Sequence, residues 1–210
     1  PKTMIEHKVW TERTRLLLGD ERVEELRACH VLLVGLGGVG GMAAEMLVRG
    51  GIGRMTIVDA DIIQPSNINR QIVATQSHLG EAKAFVLAER LRDINPELEL
   101  EVIQEFLRDD SMVELLARHP YDFVVDAIDS LSPKVHLISL AKQQDLPIVS
   151  SMGAGAKSDP SQIQQADRRG HENVDAFFDA LDLRVHAHAA KNDGGFELEM
   201  LAVSAHGFLN

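Results

Sequence analysis

A single cysteine, Cys29, occurs in the 210 residues, so the chain forms no disulfide within itself and holds no Cys-x-x-Cys pair for zinc. Cys29 sits just before an apolar run, a place that reads as a buried structural thiol rather than a nucleophile. Positive charge is also scarce: 21 Lys and Arg stand against 32 Asp and Glu, a formal net charge of −11. That balance excludes a surface that grips nucleic acid indiscriminately, and an RNA substrate then needs a local basic patch. Long apolar runs are missing as well. None approaches the roughly 20 residues of a membrane span, and the stretch Pro1 to Lys8 has no signal-peptide core. The expectation is a cytoplasmic protein with no membrane partner. Apolar residues at 45% and charged residues at 25% are ordinary globular values, and the length is ample for a sizeable core.

What is present is organised around Val31-Leu32-Leu33-Val34, which runs into Gly35-Leu36-Gly37-Gly38-Val39-Gly40-Gly41 and then into the helix-like Met42 to Val48. This is the pattern of strand, tight turn and helix. Gly35, Gly37 and Gly40 have the dinucleotide-fingerprint spacing, in which missing side chains let backbone approach a phosphate while a helix N-terminus offers unpaired N–H donors. A nucleotide phosphate is the natural ligand; a glycine-rich turn kept for packing is the alternative. A second apolar run, Met55 to Val58, ends in Asp59, slightly beyond the roughly 20-residue separation at which a ribose-binding carboxylate is expected. Asp59 reads as that ribose ligand or as a cap on the following turn.

The connection Asp61 to Gln71 departs from a nicotinamide-binding pattern. It places Asn67 and Arg70 shortly after the second strand, donors suited to charge on a triphosphate rather than to redox chemistry. Lys83 falls in the first turn of the next amphipathic helix, an unfavourable end of the dipole for a cation, which points to an anionic partner. Further strands are expected at Leu98 to Val102, Tyr121 to Asp129 and Ile148 to Ser151, with helices over Asp109 to Ala117 and from Ser132 to Gln144. The alternation implies an α/β fold with a doubly wound, mainly parallel, Rossmann-like sheet and helices on both faces. Asp126 and Asp129, at the carboxyl edge where such sheets bind ligands, are able to hold Mg²⁺ or to cap a helix. Val9 to Leu26 reads as two short helices broken at Gly19-Asp20, with Arg13-Thr14-Arg15 as solvated surface charge on composition alone. The chain thus divides into a helical arm (1–29), a nucleotide-binding domain (30–166) and a C-terminal segment (167–210). A short polar strand, Gln162 to Ala166, precedes that segment, in which a helix is expected over Asn173 to Ala190 and Phe196 to Val203 fits strand or helix. His186 and His188 have no acid or cysteine at ligand spacing.

Taken in order, Gly35-Leu36-Gly37-Gly38-Val39-Gly40, Asp59-x-Asp61, Ser66-Asn67-x-Asn69-Arg70-Gln71, Gly80-x-x-Lys83 and Asp126-x-x-Asp129 resemble the ubiquitin-activating-enzyme-like adenylyltransferases, the ThiF/MoeB/HesA superfamily, over roughly residues 10 to 166. The resemblance implies ATP on Gly35, Gly37, Gly38 and Gly40, with ribose on Asp59 and Asp61 beside it. It implies triphosphate on Asn67, Arg70 and Lys83, and Mg²⁺ near Asp129. It further implies a homodimer in which an N-terminal arginine, Arg13 rather than Arg15 by its spacing to Gly19, reaches the partner's nucleotide. Arg70, Lys83, Asp129 and Arg13 are then the catalytic set. Within the superfamily, Ala127-Ile128-Asp129-Ser130, Pro133-Lys134 and Gly153-Ala154-Gly155 followed by Asp159-Pro160-Ser161-Gln162-Ile163 are similar to the tRNA threonylcarbamoyladenosine dehydratases. That similarity implies tRNA as substrate and needs no cysteine nucleophile. The alternative acceptor is the C-terminal glycine of a ubiquitin-like or sulfur-carrier protein, although the zinc cysteines usual in its activators are missing. The lysine- and arginine-rich continuation usual in the dehydratases has no match in residues 171–210.

Overall fold

The computed structural model describes residues 7–152, 183–187 and 201–205. Three short helices lead: α1 (His7–Trp10), α2 (Glu12–Leu18) and α3 (Asp20–Ala28), the last two broken at Gly19. Then come β1 (His30–Val34), α4 (Gly38–Gly50), β2 (Arg54–Val58), α5 (Lys83–Ile94), β3 (Glu99–Ile103), α6 (Asp109–Arg118), β4 (Phe123–Asp126), α7 (Leu131–Gln143) and β5 (Ile148–Ser150). The five strands are all parallel and lie in the order β3-β2-β1-β4-β5. From β1 the chain winds outward through β2 to β3, then returns past β1 to β4. The connection reverses between β1 and β4, and the carboxyl ends of those two strands open the crevice in which such sheets hold ligands.

The strands are apolar because both faces are covered. Side chains alternate: Val31, Leu33, Met55 and Ile57 pack with Ala44, Val48, Leu87 and Leu91 of α4 and α5. Leu32, Val34, Val58 and Val124 pack on the other face with Met112, Leu115 and Leu116 of α6 and Leu137 of α7. A buried carboxylate ties the first layer together. Glu45 on α4 accepts hydrogen bonds from Arg49 at 2.9 Å and from Arg90 on α5 at 2.5 Å. Those guanidinium bonds, that of Arg90 foremost, hold its pKa below the ordinary carboxylate range despite burial.

The chain divides into two compact units, Pro1–Met152 and Gly153–Asn210. In the second, β6 (Leu183–Ala187) pairs antiparallel with β7 (Leu201–Ala205). The helix expected over Asn173 to Ala190 is therefore wrong at Leu183–Ala187, where alternating apolar residues in Leu-Arg-Val-His-Ala carry the strand period of two rather than the helical one. Phe196 to Val203, which fits either element by sequence, is strand where described, from Leu201. The polar strand expected at Gln162 to Ala166, the loop from Gly153, and His188 lie outside the described residues.

At the amino edge of the first sheet, His30 is buried, with Nε2 at 3.0 Å from Thr56 Oγ1 and Nδ1 without a hydrogen-bond partner. The rings of Tyr121 and His119 stand 4.8 and 5.0 Å away. Burial, then the nearby Arg54 and His119, lower its pKa, so the folded state keeps this imidazole neutral. Below the unfolded value of about 6.5 the unfolded chain binds the extra proton. The His30 contribution is then complete above that pH and is lost as the pH falls through it. Thermal melts at pH 7.5 and 5.5 are expected to show a smaller acid-induced drop in His30→Gln than in the parent; equal drops would contradict the assignment.

Candidate nucleotide site

The glycine cluster folds as the first turn after β1, and two of its glycines are required by the protein itself. Gly35 has φ +89°, and a Cβ there would lie 2.7 Å from the carbonyl oxygen of Ala127, just past β4. At Gly40, in the first turn of α4, a Cβ would overlap the Gly35 carbonyl oxygen outright. Neither position admits a side chain. Gly38 is intermediate, its Cβ position 3.3 Å from the Arg70 carbonyl oxygen. Gly37 differs: the nearest atom to its Cβ position is Gln71 Nε2 at 3.7 Å. Packing among the described residues leaves Gly37 free to be alanine, and the position lies at the N-terminus of α4, where a close-approaching anion would find unpaired N–H groups.

Asp59 stands at the end of β2 and grips this loop. Its Oδ2 accepts the Leu36 N–H at 2.6 Å and its Oδ1 the Asp61 N–H at 2.7 Å. Burial raises its pKa, opposed by those two N–H groups and by the nearby Lys83 ammonium. The sequence alternatives of ribose ligand and turn cap are thus not exclusive. The carboxylate fixes the loop, and each oxygen keeps a second lone pair.

The polar connection after β2 supplies the donors. Asn67 is buried at the end of a short 3-10 turn, Pro65–Asn67, and its Oδ1 accepts the Gln64 N–H at 3.0 Å. The amide is thereby oriented with its oxygen committed, and its Nδ2 hydrogens are what it has to offer an anion. Arg70 lies against the glycine turn through its main chain, while its guanidinium is exposed and uses Nη1 to bond Ser66 O and Asn69 Oδ1, each at 2.9 Å. Lys83, the first residue of α5, is buried and pairs with Asp61 at 2.7 Å. The anion that its place on the helix demands is therefore supplied, in this structure, by Asp61. No sequence pattern reveals that pair, because 22 residues separate the partners.

At the end of β4 the two acids part. Asp129 is exposed, its carboxylate touched among the described residues by the Ser130 hydroxyl alone, at 3.4 Å. Asp126 is fully buried and accepts the Ile128 N–H at 3.0 Å, the Ser150 hydroxyl at 2.5 Å and Lys134 at 2.6 Å. The expectation that both hold a metal is corrected on that ground: Asp126 is spent on the protein, and Asp129 alone is open. Among the described residues no three His, Cys, Asp or Glu side chains gather for a metal. One carboxylate suits Mg²⁺ only where phosphate oxygens complete its shell.

Two residues with a stake in the site stand in the motifs that carry the resemblance but take no role from sequence. Gln71 is buried beside Gly37, its Nε2 the nearest atom to that Cβ position, and its Oε1 has no hydrogen-bond partner among the described residues. Lys134 is the buried partner of Asp126. Its i+8 spacing from Asp126, across a loop and a helix start, matches no periodicity. In the arm, Arg15 is held by Asp20 at 2.9 Å and Glu24 at 2.7 Å, whereas Arg13 is exposed and forms no ion pair among the described residues.

The ThiF family profile matches residues 11–191. The tRNA threonylcarbamoyladenosine dehydratase of Escherichia coli is 42% identical over 161 residues, which are 75% of this chain and 60% of that protein. The chain thus spans less than two thirds of that relative's length. The crystal structure of the E. coli tRNA N6-threonylcarbamoyladenosine dehydratase in complex with ATP is similar with a TM-score of 0.73 and 34% identity, over 92% of this chain and 83% of that one. The sulfur carrier protein adenylyltransferase of Thermus thermophilus is 37% identical over 122 residues, 58% of this chain and 44% of that protein.

The two kinds of glycine separate by mutation. Gly40→Ala is expected to melt well below the parent, since overpacking against backbone costs about 1–3 kcal/mol or more. Gly37→Ala is expected to melt with the parent yet lose binding of a phosphate-bearing nucleotide, read by calorimetric titration. Unchanged nucleotide affinity in Gly37→Ala would refute the cradle.

Proposed function

The chain belongs to the ThiF family, and from that premise we propose that it uses ATP to adenylate a carboxylate, that of a threonylcarbamoyl group on a tRNA adenosine. The observation that carries this reading is the cradle at Gly37, where no packing contact among the described residues requires glycine and the nearest atom to the Cβ position is the Gln71 amide nitrogen, a donor, at 3.7 Å. The glycine turn and α4 N-terminus are suited to the phosphates, and Asp59 to the ribose. Asn67 Nδ2, Arg70 and Lys83 supply donors for the triphosphate oxygens, and Asp129 is suited to hold Mg²⁺, whose chemistry is to neutralise charge on the departing pyrophosphate.

The chemistry asks little covalent work of the protein. A substrate carboxylate oxygen bonds to the α-phosphorus, the bond to the bridging oxygen breaks, and pyrophosphate leaves; an atom of the same modified nucleotide then displaces AMP from the activated carboxyl. Catalysis is positioning and charge stabilisation. Arg70 contributes through its exposed guanidinium, able to exchange its two neutral loop acceptors for an anion. Lys83 contributes through a buried ammonium whose Asp61 partner is itself exposed, so the pair can open toward a stronger anion. The lone Cys29, at the start of β1 and therefore at the opposite edge of the sheet from the cradle, plays no part.

A homodimer completes the proposed site, Arg13 of one copy serving the nucleotide of the other. The free exposure of Arg13 supports this, as do the exposed apolar side chains Leu16 and Leu17 beside it and Val39, Met42 and Met46 at helical spacing along α4. Apolar groups presented in such rows are suited to a second copy of the chain.

Mass spectrometry of nucleosides from threonylcarbamoyladenosine-bearing tRNA, incubated with the protein, ATP and Mg²⁺, is expected to show conversion to the dehydrated, cyclised nucleoside. Conversion is expected to fall by about 10²–10³ in Lys83→Met, the scale of losing a group that stabilises transition-state charge. An unchanged open-chain nucleoside, together with pyrophosphate release that depends on a carrier protein's C-terminal glycine, would overturn the tRNA assignment and keep the adenylation.

A further inference from the structure

We propose that Lys134 and Asp126 form a positioning device that holds the Ala127–Asp129 turn against the glycine loop, and so sets the geometry of the proposed nucleotide site without touching its ligand. The proposal rests on the adenylation reading for its functional meaning and on the side-chain network for its physics.

Lys134 lies in the first turn of α7, where the helix dipole disfavours a cation, and it is 4% exposed. Its Nζ donates to Asp126 Oδ2 at 2.6 Å, to the Ser151 carbonyl oxygen at 3.0 Å and to Ser150 Oγ at 3.3 Å. Three donors meet three acceptors. Ser150 in turn donates to Asp126 Oδ2, and Asp126 Oδ1 takes the Ile128 N–H. Every polar side-chain atom of the cluster is thus used, and the cluster joins four pieces of chain: the end of β4, the turn after it, the start of α7 and the exit of β5.

Such a pair is not explained by stability. Removing two charges from water costs about as much as their attraction returns, and apolar residues of similar volume commonly do as well or better. What a saturated network adds is direction. Here the directed element is the turn. The Ala127 carbonyl oxygen lies 2.7 Å from the Cβ position of Gly35, and the Ala127 side chain 3.0 Å from that of Gly40. Two residues on, Asp129 faces solvent at the same edge. A shift of the turn by a fraction of an ångström therefore moves both the wall of the glycine loop and the one open carboxylate. Groups that contact a ligand are only as well placed as the shell behind them.

The test compares the parent with the double variant Asp126→Leu/Lys134→Met and with Ser150→Ala, which keeps the ion pair but removes the hydroxyl bridging it. Three readouts are taken: melting temperature, ATP dissociation constant by calorimetry, and amide hydrogen exchange without nucleotide. The double variant is expected to melt at or above the parent while ATP binding weakens by about tenfold or more, the scale of losing a supporting residue. Exchange at Leu36–Val39 and Ala127–Ser130 is expected to quicken in both variants, with β2 and β3 unchanged. Parent-like exchange in these two turns would overturn the proposal, as would a melting loss spread evenly over all strands. If the double variant fails to fold, Ser150→Ala decides by the same exchange measurement. If the parent itself binds no ATP, the functional reading fails, and the exchange data still decide whether the network positions the turn.

Discussion

The approach of three backbone segments at the head of β1 is the constraint on which the rest of the structure depends. Gly35, Gly40 and Ala127 come so near one another that a methyl group at either glycine would lie inside a neighbouring carbonyl or against it. Because of that closeness, α4 begins directly under the end of β1, and the turn after β4 lies over the same point. The crevice between β1 and β4 is then narrow, walled by backbone, and lined at its base by the N–H groups of a helix start. A fold that reverses its winding at this strand pair leaves such a crevice in any case. The glycines let its backbone walls approach closely where no side chain would fit.

Acids are numerous at this edge, which at first sight ill suits an anionic ligand. The structure eases the conflict by giving three of these carboxylates a positive neighbour or N–H group of their own. Asp59 takes two backbone N–H groups, Asp61 takes Lys83, and Asp126 takes Lys134, Ser150 and one N–H. Of the edge acids, Asp129 is left to solvent with one distant hydroxyl contact. Lys83 and Lys134 are buried, whereas arginines such as Arg27 and Arg118 lie at the surface in pairs with Glu, and buried charges are less screened than exposed ones. Electrostatics at the site is therefore local, set by a few enclosed pairs, and the chain's net charge of −11 has little bearing on it.

Much of the site is legible in the sequence because its parts are local. The strand, turn and helix around Gly35 to Gly41 carry their own signals in apolar period and glycine spacing, and Asp59 is identified by its position at the end of the next apolar run. The family resemblance prefers Arg13 to Arg15, and Arg15 is the one engaged with Asp20 and Glu24. The readings that fail are those that need a partner far along the chain. Lys83 visibly wants an anion, but nothing local names Asp61. Asp126 and Asp129 look alike in sequence, and only the arrival of α7 and β5 makes one a buried strut and leaves the other exposed. Leu183–Ala187, expected within a longer helix, is strand because its apolar residues alternate with a period of two.

By itself the sequence determined the parallel, doubly wound order of elements, the place of the glycine turn, and the kinds of side chain gathered near it, since all of these follow from short-range periodicity and from what glycine alone allows. Tertiary structure decided which charges remain available. A carboxylate's role depends on whether a lysine from another element reaches it before solvent or ligand does. That is a matter of which elements the core brings side by side, and no spacing along the chain encodes it.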